Sequence, residues 1–264
     1  MKGLATALLL IGWVHVAAIG GPLEMSIGGG PSAISLEAIN DSIDYFNALI
    51  VHLNETFAVH PDVDGSVDIV PPIGGGLYLQ GAERYWATDW FAVGAHVGYS
   101  RASTATVGFY EGAEISEIGV DLAFQAVGGV LEAEATFLDV GLRLGAFGGI
   151  GYYHILFDRK TVFEIPEEYP DIIAGVPPNG EGHYTGGTIG FEAGLSLAYP
   201  IAEWFSIGSR VTYRSARVSE LTDGLSNILD LDGDDTAEPI SLSGFTVQLT
   251  VSIHIDLSLD GRKE

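Results

Sequence analysis

Residues 139–157, DVGLRLGAFGGIGYYHILF, alternate between two kinds of side chain. One set of alternate positions is apolar: Val140, Leu142, Leu144, Ala146, Ile150 and Tyr152. The other set is mostly small or polar: Gly141, Arg143, Gly145, Phe147, Gly149, Gly151 and Tyr153. This period of two predicts a β-strand with one apolar face. The segment is far longer than the usual strand of ~5–6 residues, and its length, apolar face and aromatic end are typical of strands that cross a membrane in a β-barrel.

Seven other segments alternate in the same way. They cover residues 23–34, 75–88, 90–102, 118–137, 187–199, 204–218 and 240–257. Three connections are tight, near Asp89, Leu138 and Ile201, and four are long, at residues 35–72, 103–117, 158–186 and 219–239. Outer-membrane barrels have short turns on the periplasmic side and long loops on the outside. The pattern therefore predicts an all-β fold, namely an eight-stranded antiparallel transmembrane β-barrel.

The period changes between the first two predicted strands. Apolar residues recur there every three or four positions: Leu36, Ile39, Ile43, Phe46, Ile50, Leu53 and Phe57. This stripe predicts one amphipathic helix over about residues 35–58, with Ser35 as its N-cap and Pro61 beyond its end. We expect the helix to bury its stripe against the barrel, either across the mouth or inside. A coiled-coil role is the alternative, although the repeat covers only about three heptads.

Aromatic residues gather at both ends of the predicted strands. Near the short turns lie Tyr85, Trp86, Trp90, Phe91, Phe137, Tyr199, Trp204 and Phe205. Toward the long loops lie Tyr99, Phe109, Tyr110, Tyr152, Tyr153, Phe157 and Tyr213. The two groups predict two aromatic belts, one at each boundary between water and lipid.

Composition agrees with a barrel and excludes several classes of function. The chain is 47% hydrophobic with a mean hydropathy of +0.29, yet no apolar run after the N-terminus is long enough for a transmembrane helix. The absence of cysteine excludes disulfides, thiolate metal sites and a lipidated N-terminal cysteine. A formal charge of -24 argues against binding to nucleic acid or to anionic lipid headgroups.

The first 18 residues have the features of a secretory signal peptide. Lys2 supplies the positive end, residues 4–16 form the apolar run, and Val16, Ala17 and Ala18 form a small-residue cleavage site. We therefore expect residues 19–264 to form a single barrel domain that is exported.

Three stretches together carry a family resemblance: the glycine-rich GAFGGIGYYH, the helical LEAINDSIDYFN and the closing SGFTVQLTVSIHIDL. Over about residues 23–257 the chain resembles the small outer-membrane β-barrel families of Gram-negative-type bacteria, OmpA/OmpW-like in the broad sense. The resemblance implies a location in the bacterial outer membrane. It also implies two partners, the lipid of that membrane and the barrel-assembly machinery.

Alternation places many polar side chains inside the barrel. Among them are Tyr78, Gln80, Arg84, His96, Ser100, Asp121, Gln125, Arg143, Glu192, Arg210 and Arg214, and Glu132 and Glu134 join them because they must avoid lipid. Charges in a dry, narrow interior must pair, so we expect Glu192 to pair with Arg210 and either Glu132 or Glu134 to pair with Arg143. With Arg214, these residues form a predicted lumen charge network. Such a network either fills the lumen as structural salt bridges or forms a gate or narrow ion path.

The alternation slips within residues 118–137. Phe124 and Ala126 are expected to face lipid, yet Glu132 and Glu134 must not. A β-bulge at Gly128 and Gly129 would reconcile the two requirements.

Two other kinds of chemistry need consideration. The carboxylates of Asp230, Asp232, Asp234 and Asp235 surround a glycine and predict at most a weak Ca²⁺ or Mg²⁺ site, without a complete EF-hand pattern.

Residues 194–198, GLSLA, approach the G-x-S-x-G motif of a nucleophile elbow. That motif requires a turn from a strand to a helix, whereas Ser196 lies in the middle of a predicted strand. His96, Ser100 and His154 are candidates for catalysis at the rim only by residue type. We therefore predict no catalytic residues and no bound cofactor.

The sequence favours a non-enzymatic structural or surface-exposed barrel, with or without a narrow or gated pore. A carrier of small hydrophobic molecules is the alternative, and a lipid-modifying enzyme is the third. A soluble lipocalin-like barrel is the main alternative fold, and it would have its apolar side chains inside.

Overall fold

The computed structural model describes residues 22–59, 62–111, 115–164, 179–230 and 236–256, with only the backbone at 115 and 116. Its elements are β1 (Leu23–Ile34), α1 (Glu37–Ala58), β2 (Asp64–Ser66), β3 (Gly76–Thr88), β4 (Phe91–Glu111), β5 (Ile115–Asp139), β6 (Arg143–Phe163), β7 (Gly180–Ala202), β8 (Phe205–Ser215), β9 (Arg217–Val218), β10 (Ile240–Ser241) and β11 (Gly244–Ile255).

Eight of these strands form a closed ring in the order β1, β3, β4, β5, β6, β7, β8 and β11. Every neighbouring pair is antiparallel, and β11 returns to β1 with Ser252 opposite Ser26. Large apolar side chains point away from the ring, as shown by Ile27 and Leu249, which are 70% and 76% exposed. The prediction of an eight-stranded antiparallel transmembrane barrel with a helix between its first two strands is confirmed. The lipocalin-like alternative is wrong, because its apolar face would be inside.

The ring strands have two distinct lengths. β1, β3, β8 and β11 have 11 to 13 residues, whereas β4 to β7 have 21 to 25. At ~3.3 Å per residue, β5 is about 80 Å long, far more than a membrane requires. The prediction of long loops at 103–117 and 158–186 is thus partly wrong, because the described residues there largely continue the strands as a four-stranded sheet on one side of the ring.

Helix α1 packs within this extension. All seven stripe residues are buried, with Ile39, Ile43, Ile50 and Leu53 at 0% exposure. They form one core with inward-facing residues of the long strands, and Phe46 stacks on Phe163 at a ring distance of 6.3 Å. We call this structure the cap; it comprises the described parts of residues 34–73, 102–126, 155–190 and 216–242. Among the described residues, no helix is long and apolar enough to cross a membrane.

The predicted N-cap is wrong. The helix begins after Leu36, whose side chain makes no capping hydrogen bond. Ser35 instead follows the last residue of β1, and its backbone N–H donates to the carbonyl of Ser243 at 2.9 Å.

Three asparagines join α1 to residues 67–73. The side-chain amides of Asn40, Asn47 and Asn54 each donate to one backbone carbonyl and accept from the N–H of the same residue. Their respective partners are Ile73, Val70 and Val67, at 2.6 to 3.2 Å. Successive asparagines are seven residues apart on the helix, which corresponds to a rise of about 10.5 Å. Their partners are three residues apart in an extended chain, which spans about 10 Å. The two spacings match, so the same side-chain pairing repeats three times along the helix.

Both edges of the four-stranded extension are covered. On β4, Thr104 and Thr106 donate to the carbonyls of Pro71 and Asp68 at 2.7 and 2.8 Å. On β7, the backbone of Thr185 pairs with Thr222. Covered edges leave few unpaired groups to which another strand could add.

The outer wall has the two aromatic belts that the sequence predicts. Trp90, Phe137, Tyr199 and Trp204 are exposed near the short turns, and Tyr152, Phe191, Tyr213 and Phe245 are exposed toward the cap. Four residues assigned to the belts lie inside instead, namely Trp86, Tyr110, Tyr153 and Phe157. They face inward because they occupy the other parity of their strands.

Candidate functional site: the charged lumen

Below the cap, the interior of the ring is polar. Its buried charged side chains come from six strands: Glu24, Arg84, His96, Glu132, Glu134, Glu192, Arg210 and Arg214. Each lies at an inward position of its strand, between two outward positions that are mostly apolar. The alternation that makes the outside apolar therefore concentrates these charges inside the barrel.

Arg84 forms the lower part of the network, toward the short turns. Its Nη1 lies 2.8 Å from Glu24 Oε1, and its Nε lies 2.6 Å from Glu132 Oε1 and 3.4 Å from Glu134 Oε2. The indole Nε1 of Trp86 donates to the other oxygen of Glu24 at 3.1 Å. Arg84 thus links β1, β3 and β5 across the interior.

Glu132 is the most highly connected carboxylate. In addition to Arg84, its Oε2 contacts Arg210 Nη2 at 2.9 Å and His96 Nδ1 at 3.0 Å. Its side chain is only 1% exposed. A carboxylate that is buried to this extent is stable only when it is paired and hydrogen-bonded, and Glu132 meets both conditions.

His96 lies between two carboxylates. Its Nδ1 faces Glu132, and its Nε2 lies 3.2 Å from Glu192 Oε2, which is an ion-pair distance without hydrogen-bond geometry. Glu192 also accepts from Arg214 Nε at 2.8 Å. Only the imidazolium form places a proton on both ring nitrogens, and with His96 charged the four carboxylates face four cations.

Aromatic rings enclose the upper cations. The guanidinium of Arg210 lies 3.7 Å from the centre of the Phe147 ring, and that of Arg214 lies 4.9 Å from Tyr153 and 5.2 Å from Tyr78. Cation–π contacts of this kind are favourable in a desolvated setting. An eight-stranded barrel has an interior only just wide enough for its own side chains.

The structure brings five of the six predicted network residues together, namely Glu132, Glu134, Glu192, Arg210 and Arg214. Arg143 does not join them; it pairs with Asp139 at 3.4 Å near a short turn and stacks on Trp86 at 4.9 Å.

The predicted pairings are wrong. Glu192 lies opposite Arg214, and Arg210 lies opposite Ser196, so strand register directs Glu192 to the other arginine. Sequence reasoning also missed Glu24. The signal was available, because Glu24 shares the inward parity of Ser26 within the first predicted strand.

The predicted bulge at Gly128 and Gly129 is also wrong. β5 pairs with β4 from Ala135 to Ile115 without a register shift, and Phe124 and Ala126 face inward on the same parity as Glu132. Asp121 and Gln125, which were expected inside, consequently face outward. The pattern changes because the interior turns from polar to apolar where the cap begins.

The acidic-loop prediction stays a prediction. Asp232, Asp234 and Asp235 lie outside the described residues, and Asp230 accepts from Arg159 Nη1 through its backbone carbonyl at 3.5 Å. Within the described ranges, no group of three or more potential ligands could hold a metal ion. Nearby, Asp223 is engaged in its own turn, where it accepts from the backbone N–H groups of Leu225 and Asn227.

The residues considered for catalysis do not converge. His96 belongs to the ion network, Ser100 contacts Arg214 at 3.4 Å, and Ser196 donates to Glu134. His154 lies on the outward parity of β6. A serine–histidine contact does occur elsewhere, between Ser206 Oγ and His254 Nε2 at 3.0 Å, but no described carboxylate lies within ion-pair distance of His254.

No protein-family model and no curated protein matches the sequence. In structure the chain is similar to a major outer membrane protein from Thermus thermophilus, with 11% identity, coverage of 89% of this chain and 99% of that one, and a TM-score of 0.47. It is also similar to the outer membrane protein OprG from Pseudomonas aeruginosa, with 10% identity, coverage of 89% and 96%, and a TM-score of 0.39. The attachment invasion locus protein Ail of Yersinia pestis gives 10% identity, coverage of 89% and 99%, and a TM-score of 0.37.

Proposed function

We propose that the protein is a non-enzymatic outer-membrane β-barrel that presents a folded cap at the cell surface and keeps its lumen closed. The observation that carries the proposal is the double closure of the interior. A paired ion network crosses the ring, and above it α1 fills the apolar core of the cap.

Three features support this location and orientation. The outer wall is apolar between two aromatic belts, as a lipid-facing surface must be. The described turns at 89–90, 140–142 and 203–204 are short and lie at the end opposite the cap. Short turns face the periplasm in barrels of this kind, which supports a cap on the outside. The predicted signal peptide would supply export.

The two transport alternatives fit the interior less well. A gated pore requires both the cap core and the ion network to open. A carrier of hydrophobic molecules requires an apolar path, but the lower interior is charged and the apolar upper interior is filled by α1.

Conductance measurements test the closed lumen. Purified, refolded protein in planar bilayers should give no discrete channels, because neither barrier opens without loss of many contacts. Heat-modifiable gel mobility confirms that the barrel has folded and inserted. Discrete, reproducible channels from such a preparation would overturn the closed-barrel proposal.

Epitope tags test the orientation. Leu225 in the cap and Val140 in a short turn are 84% and 76% exposed, so both positions tolerate an insertion. Antibody should label intact cells with the tag at Leu225, but should label the tag at Val140 only after lysis. The reverse result would show that the cap faces the periplasm.

A further inference from the structure

Residues 67–73, VDIVPPI, lie along α1 outside any helix or strand, and their burial repeats every three positions. Val67, Val70 and Ile73 are 3%, 0% and 2% exposed, and they are the residues whose backbone groups pair with the asparagines of α1. A period of three fits neither an α-helix nor a strand, but it is the period of a polyproline II helix. The two prolines agree with this, because proline fixes φ at about −65° and disfavours the α-helical conformation in the residue before it. We call residues 67–73 the proline segment.

The cap holds the backbone of the proline segment on two sides. The asparagines bind the buried residues, and two threonines of β4 donate to the carbonyls of Asp68 and Pro71. The carbonyls of Ile69 and Pro72 accept no hydrogen bond from a described residue. With three residues per turn the segment has three rows of residues, so the row of Ile69 and Pro72 keeps its backbone acceptors available for another molecule.

The side chains outside the buried row are exposed. Ile69 is 57% exposed, and Asp68, Pro71 and Pro72 are exposed as well. Val51 of α1, which is 45% exposed, lies on the helix edge that carries the asparagines, because it follows the second by four positions and precedes the third by three. The proline segment and this helix edge therefore present apolar side chains at a fixed spacing on the surface of the cap.

The charge around the proline segment has one sign. Residues 35–75 contain no lysine or arginine and seven acidic residues, all of them exposed: Glu37, Asp41, Asp44, Glu55, Asp62, Asp64 and Asp68. Complementary charge steers and orients partners at an interface. A molecule that binds this face therefore needs basic residues around its contact surface.

We propose that the proline segment is a docking site for a protein with an aromatic-lined groove bordered by basic residues. Grooves lined by aromatic side chains are the usual means by which proteins bind polyproline II segments. Ile69 and Pro72 enter the groove, and their carbonyls accept hydrogen bonds from its side chains. Because the cap already holds the segment in one conformation, binding requires little further ordering. The inference depends on the proposed function, which places the cap at the cell surface.

An engineered WW domain tests the site, because WW domains bind polyproline II segments in an aromatic-lined groove. Two versions of the domain carry either lysines or glutamates around that groove. In biolayer interferometry on the folded protein in detergent, the lysine version should bind at least about tenfold more tightly than the glutamate version, because the face is acidic. Ile69→Ser and Pro72→Ser should each weaken binding of the lysine version about tenfold, because both remove a central apolar contact.

Leu225→Ser is the matched control, because it removes an 84% exposed apolar side chain from another part of the cap. It should leave the affinity unchanged, and all variants should keep the protease resistance of the wild-type cap. Ile69→Ser leaves both prolines in place, so it tests the site even if Pro72→Ser loosens the cap. Equal binding of the lysine version to wild type and Ile69→Ser, or no binding to wild type, would overturn the docking site.

The main competing occupant is a second copy of the chain, which fits less well because two acidic faces repel each other. Dimers of the wild-type protein in detergent that Ile69→Ser abolishes would assign the face to a second copy and overturn the proposal. Intact cells test the location separately. Fluorescent lysine-version domain should label cells that display the wild-type protein but not cells that display Ile69→Ser. Binding in detergent without labelling of intact cells would support the docking site and count against the outward cap.

Discussion

At the scale of single residues, Glu192 tests the lumen network most directly. It lies between Arg214 and His96, with a side chain that is 2% exposed. Glu192→Gln leaves Arg214 buried without its carboxylate, and such a loss typically costs about 3–5 kcal/mol, or less where water enters the lumen. We expect a clearly lower free energy of unfolding in detergent, measured by denaturant titration, with conductance unchanged.

Glu220→Gln is the matched control, because it makes the same chemical change at an exposed position of the cap. It should leave the unfolding midpoint within error. If Glu192→Gln also leaves it unchanged, Glu192 and Arg214 do not share a dry interior and the network does not stabilise the barrel.

Tyr110 permits a prediction about pH outside the membrane-spanning part. Its hydroxyl donates to Asn54 Oδ1 at 2.6 Å, and burial raises the pKa of Tyr110 to about 12. The unfolded chain loses this proton near pH 10, so the contribution to stability is complete below pH 10 and is lost as the pH rises toward about 12. Cap stability, followed by proteolysis between pH 9 and 12, should decline in wild type and decline less in Tyr110→Phe. Equal declines would show that Tyr110 does not govern this titration.

At the scale of elements, the pairing of α1 with residues 67–73 predicts that loss of one asparagine weakens the structure at its partner residue. Asn47→Ala leaves the N–H and carbonyl of Val70 without their partner, and Val70 is 0% exposed. An unsatisfied buried polar group costs about 1–3 kcal/mol. Hydrogen exchange at Val70 should therefore accelerate strongly, whereas Asp44→Ala on the exposed face of the same helix should have little effect. Unchanged protection of Val70 would contradict the pairing.

The same helix shows which features a sequence can predict. The buried stripe from Leu36 to Phe57 follows from its period alone, because a helix exposes only one apolar face. Asn40, Asn47 and Asn54 are polar, as residues on the solvent-exposed face of a helix usually are. Their partner segment, residues 67–73, lacks the helical or strand periodicity that would predict the pairing. Their function depends on a match between two different rises per residue, which becomes visible only when both chains are in place.

The strands likewise have some features that the sequence predicts and others that it does not. Parity predicts which side of the wall a residue occupies, and it placed Arg84, Glu192 and Arg210 inside correctly. It does not determine which residue of the next strand lies opposite, so the pairing of Glu192 required the register. Parity was misread near Phe124 because the rule that the interior is polar holds only below the cap.

At the scale of the whole molecule, two barriers lie in series along the axis. The lower one is the ion network of a narrow ring, and the upper one is the apolar core of the cap. Each is built from different side chains, and the backbone hydrogen bonds that close the ring do not involve α1. The cap can therefore be disrupted while the ring persists, which separates a structural barrel from a gated pore.

The substitution Phe46→Asp distinguishes a structural barrel from a gated pore. Phe46 is 3% exposed and stacks on Phe163, and a carboxylate there would be buried in the apolar core, so the cap should lose its fold and its resistance to protease. Val51→Asp, on the exposed face of the same helix, is the control and should leave the cap intact. The ring should keep its heat-modifiable mobility in both variants. Because the ion network still crosses the ring, Phe46→Asp should conduct no better than wild type in planar bilayers. If channels appear only in Phe46→Asp, the cap is a gate and the lower network lets ions pass, and the proposal of a permanently closed barrel is wrong.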